Sequence, residues 1–264
     1  MTPPAVTPQT AAQTGVDPPP ARQFTFEEYC TYEDGTDNRY ELVQGYLQLM
    51  SPPAGLHITI CDFLVYVFNR LFARTQQPFQ ASREIGVRTQ KNTCRIVDVC
   101  VNRKDPWRQI SQPGEIGVFQ LPQIPLLVVE AASTNEKEDY EAKYQEYASI
   151  GIPEYWIVNS RREHIRVCNS ASPGSSYTDR EFVKGEQIVS KVLPGLELTV
   201  DEVLNPPLVS DLIDLDQTER DALAAQNAKI AAERDVLAAE KAEIQQQLEQ
   251  LKALIAEKGL DPTM

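Results

Sequence analysis

Three residues in the middle of the chain stand where an unpaired charge is expensive. Glu130 closes the apolar run Leu126, Leu127, Val128 and Val129, and Asp98 interrupts the run Ile96, Val97, Val99 and Val101. Lys143 shares a helical face with Tyr140 and Tyr147, at i, i+3 and i+7. Short apolar runs bounded by turn residues are the pattern of buried strands. An ionised carboxylate inside one needs a partner, a metal or a solvated strand end. Two carboxylates at one strand edge can hold a hard divalent cation, magnesium or alternatively manganese, which polarises a phosphate oxygen and acidifies a bound water. A lysine beside them orients that water or steadies developing negative charge, and the reaction class would be phosphodiester hydrolysis. The same residues have a plainer reading: Asp98 as a hydrogen-bonded structural acid, and Lys143 paired with Asp139 at i−4 on an exposed face. Spacing alone does not choose between them.

The elements that must position this trio can be read on either side of it. Ser133-Thr134-Asn135, with Ser133 and Glu136 spaced as a capping box, opens a helix that stops at Gly151-Ile152-Pro153. A packed lysine on that helix can aim its ammonium at the strand end carrying Glu130. Strands are expected at 79–90, 95–101, 154–158, 164–168 and 187–192, with a soft loop, NSASPGSSYTD, before the last. Residues 102–124 read as a long polar loop. Upstream, Thr25 and Glu28 form a capping box for a short helix. Residues 39–50 read as a hairpin about Gln44-Gly45. Residues 57–75 carry apolar residues at 60, 63, 64, 67, 68, 71 and 72, the spacing of a broadly buried helix. His57 at its start reads first as a cap or packed surface residue. Glu41 lies opposite the apolar positions of its strand, which on period-two grounds faces solvent.

The ends differ from the middle. Residues 1–22, rich in Pro, Thr, Ala and Gln, are expected to be a disordered leader. Residues 23–204 form the domain, closed by a short terminal helix, and 205–217, opening on Asn205-Pro206-Pro207, form a linker. In 218–258, Leu223, Ile230, Leu237, Ile244 and Leu251 recur every seven residues, and Asn227, Arg234, Lys241, Leu248 and Ile255 fill the second seam. That is a coiled-coil pattern, pointing to a homo-oligomer or a partner helix.

The net charge of −13 is uneven: from Asp201 onward there are 14 acids and 6 bases, a net of −8, which leaves −5 for residues 1–200. A nucleic-acid surface normally shows a basic patch. Here there are only local groups, Arg83, Arg88, Lys91 and Arg95, then Arg103, Lys104 and Arg108. Five scattered cysteines without a C-x-x-C pair suggest neither a disulfide framework nor a zinc site. No uninterrupted apolar run of membrane-spanning length and no secretory signal are visible, so a cytoplasmic location without a membrane partner is expected.

Taken together, YELVQG at 40–45, RIVDVCV at 95–101, PLLVVEAAS at 125–133, Asp139, Lys143, Tyr147 and GIPEYWIVN at 151–159 resemble the Uma-two family of bacterial restriction-endonuclease-like proteins, within the PD-(D/E)XK nuclease superfamily. The resemblance covers about residues 24–204. It implies an α/β fold, a restriction-endonuclease-like mixed central sheet flanked by helices. It implies a magnesium-dependent endonuclease acting on DNA, with Asp98 and Glu130 as metal ligands, Lys143 as the catalytic lysine and Glu41 adding a carboxylate. The superfamily lysine normally stands two residues after the glutamate, where this chain has Ala132; in this family the following helix supplies it. Val97 replaces the expected proline, Ile58 the glutamine after His57, and Asn159 the acid ending the EYW strand. The alternative from a different class is a catalytically idle nuclease fold that scaffolds through its coiled coil.

Overall fold

A computed structural model describes residues 20–132, 136–172 and 174–257. The chain divides into two compact units, Met1–Pro207 and Leu208–Met264. The Ser133 capping position lies outside the described residues, as does nearly all of the 1–22 leader.

In the first unit the reciprocal bonds of Thr25 and Glu28 open α1 (Phe26–Cys30) as the spacing predicts. The hairpin of β1 (Tyr40–Val43) and β2 (Tyr46–Leu49) turns at Gln44 and Gly45, whose φ values of 51° and 87° are the two left-handed conformations of a type I′ turn. Next come α2 (Gly55–Thr75), β3 (Phe79–Gln90), β4 (Thr93–Arg103), α3 (Lys104–Ile110), β5 (Val118–Phe119) and β6 (Leu127–Ala131). A π-helical turn, Glu138–Lys143, then runs into α4 (Tyr144–Ile150), which Gly151 ends at φ 83°. β7 (Glu154–Asn159), β8 (His164–Ser170), β9 (Tyr177–Val183) and α5 (Val200–Leu204) complete the unit.

The strands form one mixed sheet organised around β4. One edge of β4 pairs along its length with β3. The other edge is shared by β1, at Cys94, and β6, at Val99 to Val101. β6 and β7 are parallel, joined by the π turn and α4, and β7, β8 and β9 follow antiparallel. Alternation along β7 sends Tyr155 and Trp156 to opposite faces. Trp156 meets Phe68 of α2 edge-on at 5.8 Å, and Tyr155 meets Tyr147 of α4 at 5.0 Å, so helices cover both faces. α2 is long and apolar enough to span a membrane by length and composition, which the reading of the sequence did not anticipate. Its buried stripe of Ile60, Phe63, Leu64, Phe68 and Phe72 packs on the sheet instead.

Three expectations need correction. Residues 102–124 are not one loop: β4 runs on to Arg103, and α3 and β5 follow. The last strand is Tyr177–Val183, not 187–192, where Gln187 makes only an isolated bridge to Thr199. β9 buries only Tyr177 and Phe182 and exposes polar residues between them, so it lacks the apolar alternation that marks a strand. Residues 209–217, read as linker, are already helical in the second unit's α6 (Val209–Glu257). Along α6, Leu223, Ile230, Leu237, Ile244 and Leu251 are all exposed.

Candidate active site

The site forms where β4 and β6 part. Their register runs Val101↔Leu127, Cys100↔Val128, Val99↔Val129, and one further step brings Asp98 opposite Glu130. There the backbone ladder ends, and Asp98 Oδ2 accepts the Ala131 N–H at 2.8 Å, standing in for the carbonyl that a continued strand would supply. Asp98 Oδ1 faces His57 Nε2 of α2 at 3.2 Å. This contact is the largest cause of the raised pKa of His57; burial opposes it. The Asp98 and His57 side chains are 20% and 22% exposed, the open side of the site.

Glu130 is its deep side, at 2% exposure. The Tyr147 hydroxyl donates to Glu130 Oε1 at 2.7 Å, and Lys143 Nζ lies 2.9 Å from Oε2. Lys143 Nζ is also 3.3 Å from Asp139 Oδ1. The plainer reading of Lys143 therefore has its partner right and its location wrong: the Asp139 pair exists, but buried and joined to Glu130. Burial pushes the Glu130 carboxyl well above its ordinary value; Lys143 counters the rise, and Asp98 and Asp139 add to it. Burial likewise raises Asp139, again against Lys143. Burial disfavours the Lys143 charge, yet Glu130, Asp139, Glu41 and Asp98 outweigh it and hold the ammonium protonated. With Asp98, Glu130 and Asp139 facing one lysine, the pocket is short of positive charge.

Glu41 is placed differently. It is buried, not solvent-facing, because Arg95 lies beside it at 1% exposure. Arg95 Nη1 donates to Glu41 Oε2 at 3.1 Å and to Glu138 at 2.6 Å, and Glu41 Oε1 takes the Ile96 N–H at 2.8 Å. Nε and Nη2 of Arg95 grip Glu146 in a fork, at 2.9 and 2.8 Å, and Thr89 completes the same carboxylate. Of the four proposed residues, the structure thus gathers Asp98, Glu130 and Lys143, and commits both Glu41 oxygens to this neighbouring cluster.

The π turn explains how one helix serves both clusters. Glu138 and Glu146 both reach Arg95, yet eight residues of regular α-helix would set them about 80° apart. One residue absorbed by the wider turn brings them to within about 20°. Lys143, the last residue of the turn, and Tyr147, one turn on in α4, both face Glu130.

Two features were poorly legible beforehand. Arg95 was counted among local basic groups, although it shares strand parity with the core residues Val97 and Val99. Cys61 was set aside for want of a C-x-x-C pair, although it lies at i+4 from His57 on the same helix.

The Uma2 family model, described as "Putative restriction endonuclease", matches residues 26–201. The chain belongs to the Uma2 family. No curated protein matches it. Among solved structures, it is similar to "a putative nuclease belonging to DUF820" from Anabaena variabilis, at 18% identity and a TM-score of 0.54, over 69% of this chain and 97% of that one. At that identity the likeness concerns the fold. For this Uma2 chain, the matched residues 26–201 contain every strand of the described residues and the Asp98, Glu130 and Lys143 positions, and leave α6 outside.

Proposed function

We propose that the chain is a divalent-cation-dependent endonuclease that hydrolyses phosphodiester bonds in DNA, with Asp98 and Glu130 as cation ligands and Lys143 as the charged catalytic group. The observation that carries this is that Asp98 and Glu130 stand one step beyond the last paired residues of two parting strands, Val99 and Val129, with Lys143 Nζ 2.9 Å from Glu130 Oε2. The donor set fits magnesium or manganese: the carboxylates supply hard oxygen ligands, and their surplus negative charge favours a cation over an empty pocket. Bound there, such a cation supplies Lewis acidity toward a phosphate oxygen and a more acidic water.

The protein's own residues supply position and charge. Glu130 and Asp139 fix the Lys143 ammonium, which is a hydrogen-bond donor to developing negative charge, not a base, because the surrounding carboxylates hold its proton. Tyr147 locks the second Glu130 oxygen and so the direction of the first. Asp98, on the exposed side, lies where a phosphate must approach. In the reaction water forms a bond to phosphorus and gives up a proton to solvent, and the bond to the leaving deoxyribose oxygen breaks. That oxygen finally takes a proton from solvent.

The test is nicking of supercoiled plasmid by the full chain with magnesium or manganese. Asp98→Asn should remove it while circular dichroism stays unchanged; equal cleavage by the variant would sink the assignment.

A second reading, a catalytically idle scaffold that oligomerises through residues 218–258, is favoured by two observations. Leu223, Ile230, Leu237, Ile244 and Leu251 of α6 are exposed, and two candidate DNA-contacting side chains are engaged within the fold, Arg95 by three glutamates and Arg83 by Asp62. Titration calorimetry separates the readings: magnesium binding that disappears in Asp98→Asn supports the enzyme, and no such binding leaves the scaffold ahead. Sedimentation of the full chain against Leu237→Lys tests the oligomer.

A further inference from the structure

We propose that His57, Cys61 and Asp98 form a transition-metal site of the zinc class, with imidazole nitrogen, thiolate sulfur and carboxylate oxygen as its three protein donors. It builds on the reading of Asp98 as a metal ligand, but not on nuclease activity.

The geometry comes from two elements. His57 and Cys61 are one turn apart at the start of α2, so both side chains lean toward the same side of that helix. Asp98 enters from β4, with Oδ1 3.2 Å from His57 Nε2. Ligand atoms of the three residues all lie within 4.8 Å of one another. Tetrahedral zinc, with bonds of about 2.0–2.3 Å, holds its ligands about 3.5 Å apart. The site therefore needs a contraction of at most about 1.3 Å, within reach of side-chain rotation.

The donor types decide the class of ion. A thiolate–imidazole pair discriminates against magnesium and calcium and favours zinc or cobalt, whereas the Asp98–Glu130 pair is all oxygen and has the opposite preference. Burial also differs. Cys61 is 1% exposed, while Asp98 and His57 border solvent. Three protein ligands with one open side is the pattern of a site that keeps a water or an exchangeable ligand, not of a closed structural site. Binding is a simple exchange: the metal enters, the thiol proton of Cys61 and any proton on His57 Nε2 leave to solvent, and nothing is oxidised. Because Asp98 belongs to both donor sets, an ion bound through Cys61 and His57 competes with one bound through Glu130. Zinc should therefore antagonise any magnesium-dependent activity of this chain.

Cobalt titration of the metal-stripped full chain reads the site directly. A thiolate-to-cobalt charge-transfer absorption should rise to one equivalent and disappear when zinc is added. Cys61→Ser should remove that band, and Cys61→Ser and His57→Ala should each weaken zinc binding by more than about tenfold. His57→Ala alters a half-buried first-turn residue, so it remains informative if the buried cysteine variant folds poorly. The other four cysteines serve as internal controls, since the band must depend on Cys61. Absence of the band from the wild type, or its persistence in Cys61→Ser, overturns the proposal. Glu130→Gln should leave the cobalt spectrum in place. A cobalt site that depends on Cys61 in a protein that never nicks DNA would uphold this inference and defeat the proposed function.

Discussion

Two buried charge clusters lie side by side on the same helix, each with one cation facing three carboxylates, and they differ in how the cation shares itself out. Arg95 makes four donations from three nitrogens, forked on Glu146 and single on Glu41 and Glu138, and an Ile96 N–H and a Thr89 hydroxyl fill further acceptor positions. Lys143 has a compact ammonium within reach of Glu130 and Asp139, while Asp98 is met by a backbone N–H and a histidine. A guanidinium suits a closed structural junction because its planar fork matches carboxylates. An ammonium amid three acids leaves a deficit that a further cation can fill. The comparison teaches that the number of charges does not separate structure from site; how fully their hydrogen bonds are met does.

The sharpest way to break the comparison is Arg95→Met. It strands Glu41 and Glu146 in the interior, and unfolding in urea should show a loss of about 3–5 kcal/mol, the usual cost of removing one partner from a buried ion pair. A loss below about 1 kcal/mol would mean the cluster is not the closed junction described. Next is Lys143→Met. It should lower nicking by about a hundredfold or more, the scale of removing one preorganised charged donor. Its urea midpoint should fall less than that of Arg95→Met, since Glu130 can take up a proton.

Glu130→Gln tests the deficit through pH. Because the folded-state pKa of Glu130 is raised, its neutral form is favoured by the fold. The associated stability is present below the ordinary value of 4.5 and is lost as pH rises through the folded value. Wild type should therefore lose stability relative to Glu130→Gln over that interval, as followed by thermal melts at successive pH values; parallel curves would contradict the deficit. The smallest effect is expected at an exposed pair outside both clusters. Arg166 and Glu181 meet at 2.6 Å, but Glu181 is 48% exposed, and Glu181→Gln should cost about 0.2–1 kcal/mol in urea unfolding.

Much of this was legible in the sequence because it was written in apolar periodicity. The strands around Asp98 and Glu130 and the long helix at 57–75 follow from spacing, which also put Lys143 on one face with Tyr140 and Tyr147 without deciding that this face was buried. What was hidden depends on partners far along the chain. Glu41 looked solvent-facing because alternation cannot report that Arg95, 54 residues on, neutralises it. β9 was missed because an edge strand with two buried residues carries almost no alternation. The π turn was invisible for a different reason: absorbing one extra residue changes helical phase without changing composition.

That turn makes the helix a gear shared by two mechanisms. Inserting one further residue between Glu138 and Lys143, beyond the one the turn already absorbs, would rotate whatever precedes it by about 100° relative to whatever follows. Glu138 and Glu146 could then no longer grip Arg95 together, and keeping Lys143 on Glu130 would swing the upstream acids away. A one-residue insertion here should thus be more damaging than removal of either cation, because it puts the junction and the site out of step at once, whereas a one-residue deletion, which leaves Glu138 and Glu146 seven regular steps apart, keeps them in phase.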